Sequence, residues 1–151
     1  SHHPQSVVHI LRRRNCSRPR RGCAIMWGKR LIRGTHMANT TERLHILWTT
    51  GDTVTAEKMV LMYALNARKR GWWDEITVII WGAAALLVAE HAQIRGGVRD
   101  LLDAGVHVSA CKACADQLEV TSTLEAAGVE TKYWGEGLTE LLKQDARLLT
   151  V

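Results

Sequence analysis

The chain predicts an α/β fold with an open, mainly parallel five-stranded sheet and helices on both faces. Three observations carry this. From residue 43 onward five short apolar runs alternate with helical patterns, and regular β-α alternation implies parallel strands joined by right-handed crossovers. One run, residues 76–81, is an unbroken β-branched stretch (Ile-Thr-Val-Ile-Ile-Trp) of the kind found in strands covered on both faces. Glycines at positions 71 and 128 fall where helical periodicity stops.

Residues 44–48 (Leu-His-Ile-Leu-Trp) read as the first strand. Residues 55–70 read as a helix whose Met59, Val60, Tyr63, Ala64 and Ala67 share one apolar face. The basic last turn Arg68-Lys69-Arg70 and then Gly71 end it. After the second strand, residues 83–90 and 98–104 predict helical segments broken at Gly96-Gly97. Residues 106–110 predict the third strand, and residues 113–118 and 122–127 two short helices. Ser122 and Glu125 have the spacing of a capping box opening the latter. Residues 129–133 read as the fourth strand, 138–143 as the last helix and 147–151 as the last strand.

Size and charge narrow the function. At 151 residues with 46% apolar content the chain can bury one core. No apolar run approaches the ~20 residues of a membrane span. The net charge of +5 is unevenly placed. Residues 1–36 carry nine Lys/Arg and no acid, and residues 37–151 keep eleven Lys/Arg against all fifteen Asp/Glu. Residues 37–151 are therefore an acidic domain with no electrostatic case for nucleic-acid binding. Residues 1–36, with both prolines and clustered arginines, read as a disordered basic arm. Three origins fit that arm: vector or mis-started sequence ahead of Met37, a basic tail for an acidic partner, or an Arg-rich targeting peptide. Cys16 and Cys23 there, with His9 and His36, do not have zinc-site spacing, so no metal is expected.

The most informative motif is Cys111-Lys112-Ala113-Cys114, at the junction of the third strand and the following helix. N–H groups at a helix start lack intrahelical partners and carry partial positive charge. That favours thiolate, the reactive form, by up to about 2 kcal/mol. Such a gain equals roughly 1.5 pKa units. Two thiols three residues apart on a helix lie on one face and can act as a dithiol. The alternative is that both are small buried hydrophobes. The domain has no proline, which separates it from a thioredoxin-type site working beside a cis-proline. No nucleotide-binding loop and no cofactor signature is present.

Ligands of parallel sheets bind outside the carboxyl ends of the strands. Those ends carry Thr49, Thr50 and Asp52, then Gly82, then Cys111 with Lys112, then Glu136, which together form the candidate substrate-binding set. Asp52 could equally cap the next helix, and Lys112 could point into solvent. Trp48, Trp72, Trp73, Trp81 and Trp134 are read mainly as core or subunit-contact residues, with Trp72-Trp73 an interface patch. His45 and His107, inside strands, read as satisfied core histidines.

Several blocks carry a family resemblance. They are Leu44-His45-Ile46-Leu47-Trp48-Thr49-Thr50, Ala56-Glu57-Lys58-Met59-Val60, Gly71-Trp72-Trp73-Asp74-Glu75, Ile79-Ile80-Trp81-Gly82, Ala110-Cys111-Lys112-Ala113-Cys114-Ala115 and Val129-Glu130-Thr131-Lys132-Tyr133-Trp134-Gly135. In these the domain resembles the DsrE/DsrF-like family, small α/β proteins with flavodoxin-like layering that include sulfur-relay subunits such as TusD. The resemblance covers nearly all of residues 43–151 and lies nearest an uncharacterised branch. It implies cytoplasmic homo-oligomers, trimers or hexamers, and a reactive cysteine at the end of the central strand. By position that cysteine is Cys111, which would carry sulfane sulfur as a persulfide. Cys114, without a counterpart in the relay site, would release the sulfur by forming a disulfide. A sulfur donor or acceptor protein would be the partner. Dithiol redox chemistry at Cys111/Cys114 and a non-catalytic, oligomeric small-ligand-binding protein stand as alternatives.

Overall fold

A computed structural model describes residues 40–151; the arm, with Cys16 and Cys23, lies outside the described residues. Five strands form one sheet: β1 (Arg43–Trp48), β2 (Glu75–Ile80), β3 (His107–Cys111), β4 (Glu130–Lys132) and β5 (Leu148–Thr150). Their order is β4-β3-β2-β1-β5, and every adjacent pair is parallel. The predicted fold class is therefore the observed one.

Between β1 and β2 the chain forms α1 (Thr53–Thr55), a π-wound stretch (Ala56–Leu61) and α2 (Met62–Lys69). The helix was expected from residue 55, but Asp52 starts it earlier. Its carboxylate accepts from the Thr55 N–H at 2.7 Å and the Thr55 hydroxyl at 2.6 Å. The buried positions become Ala56, Val60, Leu61, Ala64 and Ala67, and Met59 and Tyr63 move to the half-buried margin. The wider π turn changes which residues face the sheet.

α3 (Ala83–Glu90) and α4 (Ala92–Asp103) follow β2. The expected break at Gly96-Gly97 is absent: α4 runs through both glycines, and the chain turns instead at His91, whose backbone is extended. Gly97 is there for packing. A Cβ on it would lie 2.5 Å from Leu61 Cδ1, so the missing side chain lets α4 press against the π-wound stretch.

After β3 come α5 (Lys112–Gln117) and α6 (Thr121–Ala126), and after β4 comes α7 (Trp134–Lys143). The capping box does not form. Helix α6 begins at Thr121 with no side-chain cap, Thr121 Oγ1 donates to Asp116 at 2.6 Å, and Glu125 accepts from Thr131. α7 starts four residues before its expected position, so Trp134 and Glu136 lie in a helix rather than in a strand-end loop.

The two faces of the sheet are covered unequally. Leu44, Ile46, Trp48, Ile76, Val78, Ile80, Val108 and Ala110 join one large core with the π-wound stretch and the helices from α2 to α6. On the other face Ile79, Cys111 and Trp134 form a small separate cluster, with Leu47, Trp81 and Leu141 packed against it. That face is roofed mainly by α7, with Ala113 and Cys114 of α5 at the edge of the cluster.

Candidate functional site

Cys111 is the last residue of β3 and the N-cap of α5, and Cys114 lies in that helix's first turn. Both thiols are free. They are close enough for the Cys114 thiol to hydrogen-bond to Cys111. Their accessibility differs. Cys111 is 4% exposed, packed with Ile79 and Trp134, whereas Cys114 is half-buried.

Trp134, only 6% exposed, closes over Cys111. Its indole N–H donates to Ser109 Oγ at 2.9 Å, satisfying the one buried polar side chain among the described residues. The Lys132 ammonium lies 4.2 Å from the Trp134 ring centroid, a cation–π contact.

Gly82 supports Cys114 from the neighbouring loop. It caps α3 with φ +60 and ψ −124, a region that only glycine enters readily. Its backbone N–H donates to the Cys114 sulfur. A cavity of about 400 Å³ opens between α3 and α5, lined by Gly82, Ala83, Leu86, Cys114, Gln117 and Leu118.

The thiolate-favouring helix start was expected for Cys111; at Cys114, inside the first turn, desolvation acts against it. Burial pushes its thiol above the ordinary range and the Cys111 contact adds to the rise, while the Gly82 N–H pulls the other way. Helix α5 has only six residues, a short dipole to set against desolvation.

The other expected site residues are occupied locally. Thr49 N–H and Oγ1 both donate to the Val151 carbonyl, at 2.6 and 2.9 Å, and the Thr50 N–H donates to it at 3.2 Å. Thr50 Oγ1 accepts from the Asp52 N–H at 3.1 Å. Asp52 is a helix cap, and its bonds to Thr55 hold its carboxyl below the usual range. The Lys112 ammonium reaches along α5 to Asp116 at 3.1 Å instead of to either thiol, and that bond holds its pKa above the ordinary value. Glu136 is exposed in the first turn of α7. The structure thus brings together Gly82, Cys111 and Cys114, and gives Thr49, Thr50, Asp52 and Lys112 structural partners.

Sequence reading missed Ala83, Leu86, Gln117 and Leu118 as lining residues. Helical spacing was the available signal: Gly82 and Leu86 are four apart, and Gln117 and Leu118 lie three and four beyond Cys114. The histidines also differ from expectation. His107 is exposed and bonded to Glu130 at 2.7 Å, and His45 has a buried Nδ1 without a partner. Trp72 is 50% exposed, but Trp73 is half-buried and donates to Tyr63 Oη at 3.2 Å, so the expected patch is one ring wide.

The fold and site define a small α/β protein with a free dithiol at the carboxyl end of β3, the strand beside edge strand β4, in an all-parallel sheet. BT1422 from Bacteroides thetaiotaomicron, a conserved protein of unknown function, is 38% identical, with a TM-score of 0.72 over 73% of this chain and 95% of its own. The chain belongs to the same family as BT1422. The ychN protein of E. coli shares the fold at 18% identity and a TM-score of 0.56, over 74% of this chain and 99% of its own. No protein-family model and no curated protein matches the chain. Among the described residues no helix is long and apolar enough to cross a membrane, and no group of three metal-binding side chains occurs.

Proposed function

We propose that this protein handles sulfane sulfur on its dithiol, accepting it as a persulfide on one cysteine and passing it on or releasing it with the other. The observation that carries the reading is the pair of free thiols at the start of one helix, of which only Cys114 lines a cavity. The DsrE/DsrF-like resemblance supports the same chemistry. Sequence position assigned entry of sulfur to Cys111; the depth of Cys111 under Trp134 favours entry at Cys114 instead.

In that scheme the Cys114 thiolate attacks the terminal sulfur of a donor persulfide. A new S–S bond forms, the donor's S–S bond breaks, and the donor leaves as a thiolate that takes up the Cys114 proton. Two exits balance. An acceptor thiolate can attack the outer sulfur, restoring Cys114. Alternatively Cys111 attacks Cys114 Sγ, forming the Cys111–Cys114 disulfide and releasing hydrosulfide; the dithiol is then oxidised and the sulfane sulfur reduced. The Gly82 N–H, aimed at the Cys114 sulfur, stabilises it as attacking thiolate and as leaving group.

The test uses the full chain incubated with inorganic polysulfide, blocked with iodoacetamide and digested with trypsin. Cleavage after Lys112 places Cys111 and Cys114 on separate peptides. The expected result is one added sulfur on the Cys114 peptide, absent in Cys114→Ser and accumulating in Cys111→Ser. Sulfur on neither peptide in Cys111→Ser, where release through the disulfide is blocked, overturns the reading. A wild-type disulfide together with no added sulfur in Cys111→Ser moves the assignment to dithiol redox chemistry, which the closeness of the two thiols favours as the second reading. Free thiols fit a reducing, cytoplasmic setting. The homo-oligomer implied by the resemblance is part of the same proposal, with the thinly roofed sheet face and Tyr133, 68% exposed, as the surfaces that support it.

A further inference from the structure

The composition of the cavity beside Cys114 points to a class of substrate. Ala83, Leu86 and Leu118 give it carbon walls, Gly82 a backbone N–H, and Gln117 its one polar side chain. No charged side chain lines it. The nearest cation in sequence, Lys112, is held by Asp116, which also accepts from Thr121. A carboxylate or sulfonate entering here would lose water without gaining an ionic partner. A compact apolar group would lose nothing polar, and about 400 Å³ lies within the range of small-ligand sites.

We propose that the cavity admits an uncharged, low-molecular-weight organic persulfide, its sulfur against Cys114 and its hydrocarbon part against Ala83, Leu86 and Leu118. This rests on the sulfur-handling reading and gives it a substrate class. The transfer is the one written above: Cys114–SH and R–S–SH become Cys114–S–SH and R–SH, with no external oxidant or reductant. The group R is apolar, which excludes the zwitterionic and anionic carriers, cysteine persulfide and glutathione persulfide, as preferred donors. Burial of Cys114 suits the same substrate, because a desolvated thiol is best met by a ligand that brings no charge into the site.

Charge selectivity can be measured without sulfane sulfur. The probes are three methanethiosulfonates that form mixed disulfides with thiols: neutral benzyl, anionic sulfonatoethyl and cationic trimethylammonioethyl. Rates are read on the Cys114 peptide of the full-length Cys111→Ser chain and divided by the rates with a small free thiol. The expected result is that Cys114 reacts at least tenfold faster with the benzyl reagent than with either charged one. Leu118→Lys, at a half-exposed helix end, should narrow the benzyl-to-sulfonatoethyl ratio at least fivefold while leaving the circular dichroism spectrum unchanged. Equal normalised rates in the Cys111→Ser chain, or no change of ratio when Leu118→Lys is added to it, overturn the inference. Selectivity that survives while polysulfide loads no sulfur would instead remove the sulfur-handling reading and leave an apolar-ligand cavity, so the two failures are distinguishable.

Discussion

On one face of the sheet, Leu44, Ile46, Trp48, Ile76, Val78 and Ile80 disappear beneath the π-wound stretch and the helices from α2 to α6. On the other, Ile79 and Cys111 lie beneath α7, with only the first turn of α5 beside them. The strands alternate between these faces, so neighbouring residues of one strand meet very different depths of cover. On the thick face each buried side chain has many neighbours, and losing one leaves the rest in place. On the thin face Cys111 shares its small cluster with one large ring, that of Trp134. The dithiol straddles this difference: Cys111 belongs to the thin layer, and Cys114 reaches the cavity between two helices of the thick one.

The largest effect should come from removing that indole. Trp134→Ala is expected to cost about 3–5 kcal/mol and to make Cys111 react with iodoacetamide in the folded protein. Ile80→Ala, on the thick face, should cost about 2–5 kcal/mol with no gain in Cys111 reactivity under folding conditions. Denaturant unfolding with peptide-resolved alkylation measures both. If the two variants open Cys111 equally, overall destabilisation and not loss of a lid is the cause, and the contrast between the faces fails.

A smaller change isolates the polar contact within the lid. Trp134→Phe keeps a ring but removes the N–H that satisfies Ser109. It should cost about 1–3 kcal/mol, because the buried hydroxyl is left unpaired. Adding Ser109→Ala should restore part of the loss. A double variant as unstable as Trp134→Phe alone would show that ring volume, not the hydrogen bond, was missing.

The thick face makes its own prediction through two adjacent glycines. Gly96 is exposed, and a Cβ there meets nothing within 4 Å. Gly96→Ala should therefore gain about 1 kcal/mol from helix propensity. Gly97→Ala forfeits the same gain, because its Cβ would meet Leu61 Cδ1 at 2.5 Å. Overpacking costs about 1–3 kcal/mol, so the net change should lie between neutral and about 2 kcal/mol destabilising. Thermal unfolding of the two variants is enough. Equal stabilisation would mean that Leu61 moves aside freely and that α4 is less tightly seated than the structure has it.

How much of this was legible in the sequence follows the same division. The strands were legible because a parallel sheet buried by helices writes long β-branched runs, as residues 76–81 do. Asp52 as a cap was legible as an alternative, since its short side chain suits that place. Gly96-Gly97 misled because glycine signals both a helix stop and a close helix approach, and only the position of Leu61 distinguishes them. The Ser122/Glu125 spacing misled because Asp116 and Thr131 offered those segments other partners. The cysteine pair was legible as a motif, but which thiol would be accessible was not. That depends on α7 beginning at Trp134, and a helix whose first turn reads Trp-Gly-Glu-Gly lacks the usual start signals. The cavity walls come from two helices far apart in sequence, with no local pattern joining them.

The smallest predicted effect belongs to the thin face and concerns His45. Its ring lies beside a cleft of about 410 Å³ whose lining includes Arg43, Asp145 and Arg147, and its Nδ1 is buried without a partner. Burial holds its pKa below the ordinary 6.5; Arg43 lowers it further, while the nearby Arg147 backbone carbonyl and the charge of Glu75 oppose the shift. The folded protein therefore prefers neutral His45 more than the unfolded chain does. Above about pH 6.5 both states are neutral and the fold keeps this contribution. As pH falls through 6.5 toward the lowered folded value, the unfolded chain takes up the proton first and stability declines. The ring is half exposed, so solvent screening should keep the loss under ~1 kcal/mol. Asp52 and Asp116, both lowered from 3.8, act only in more acid solution. Between pH 7 and 5 the denaturation midpoint of the wild type should accordingly fall more steeply than that of His45→Gln. Parallel profiles would assign the acid sensitivity elsewhere and would show that α7 leaves this end of the face open enough for water to reach Nδ1.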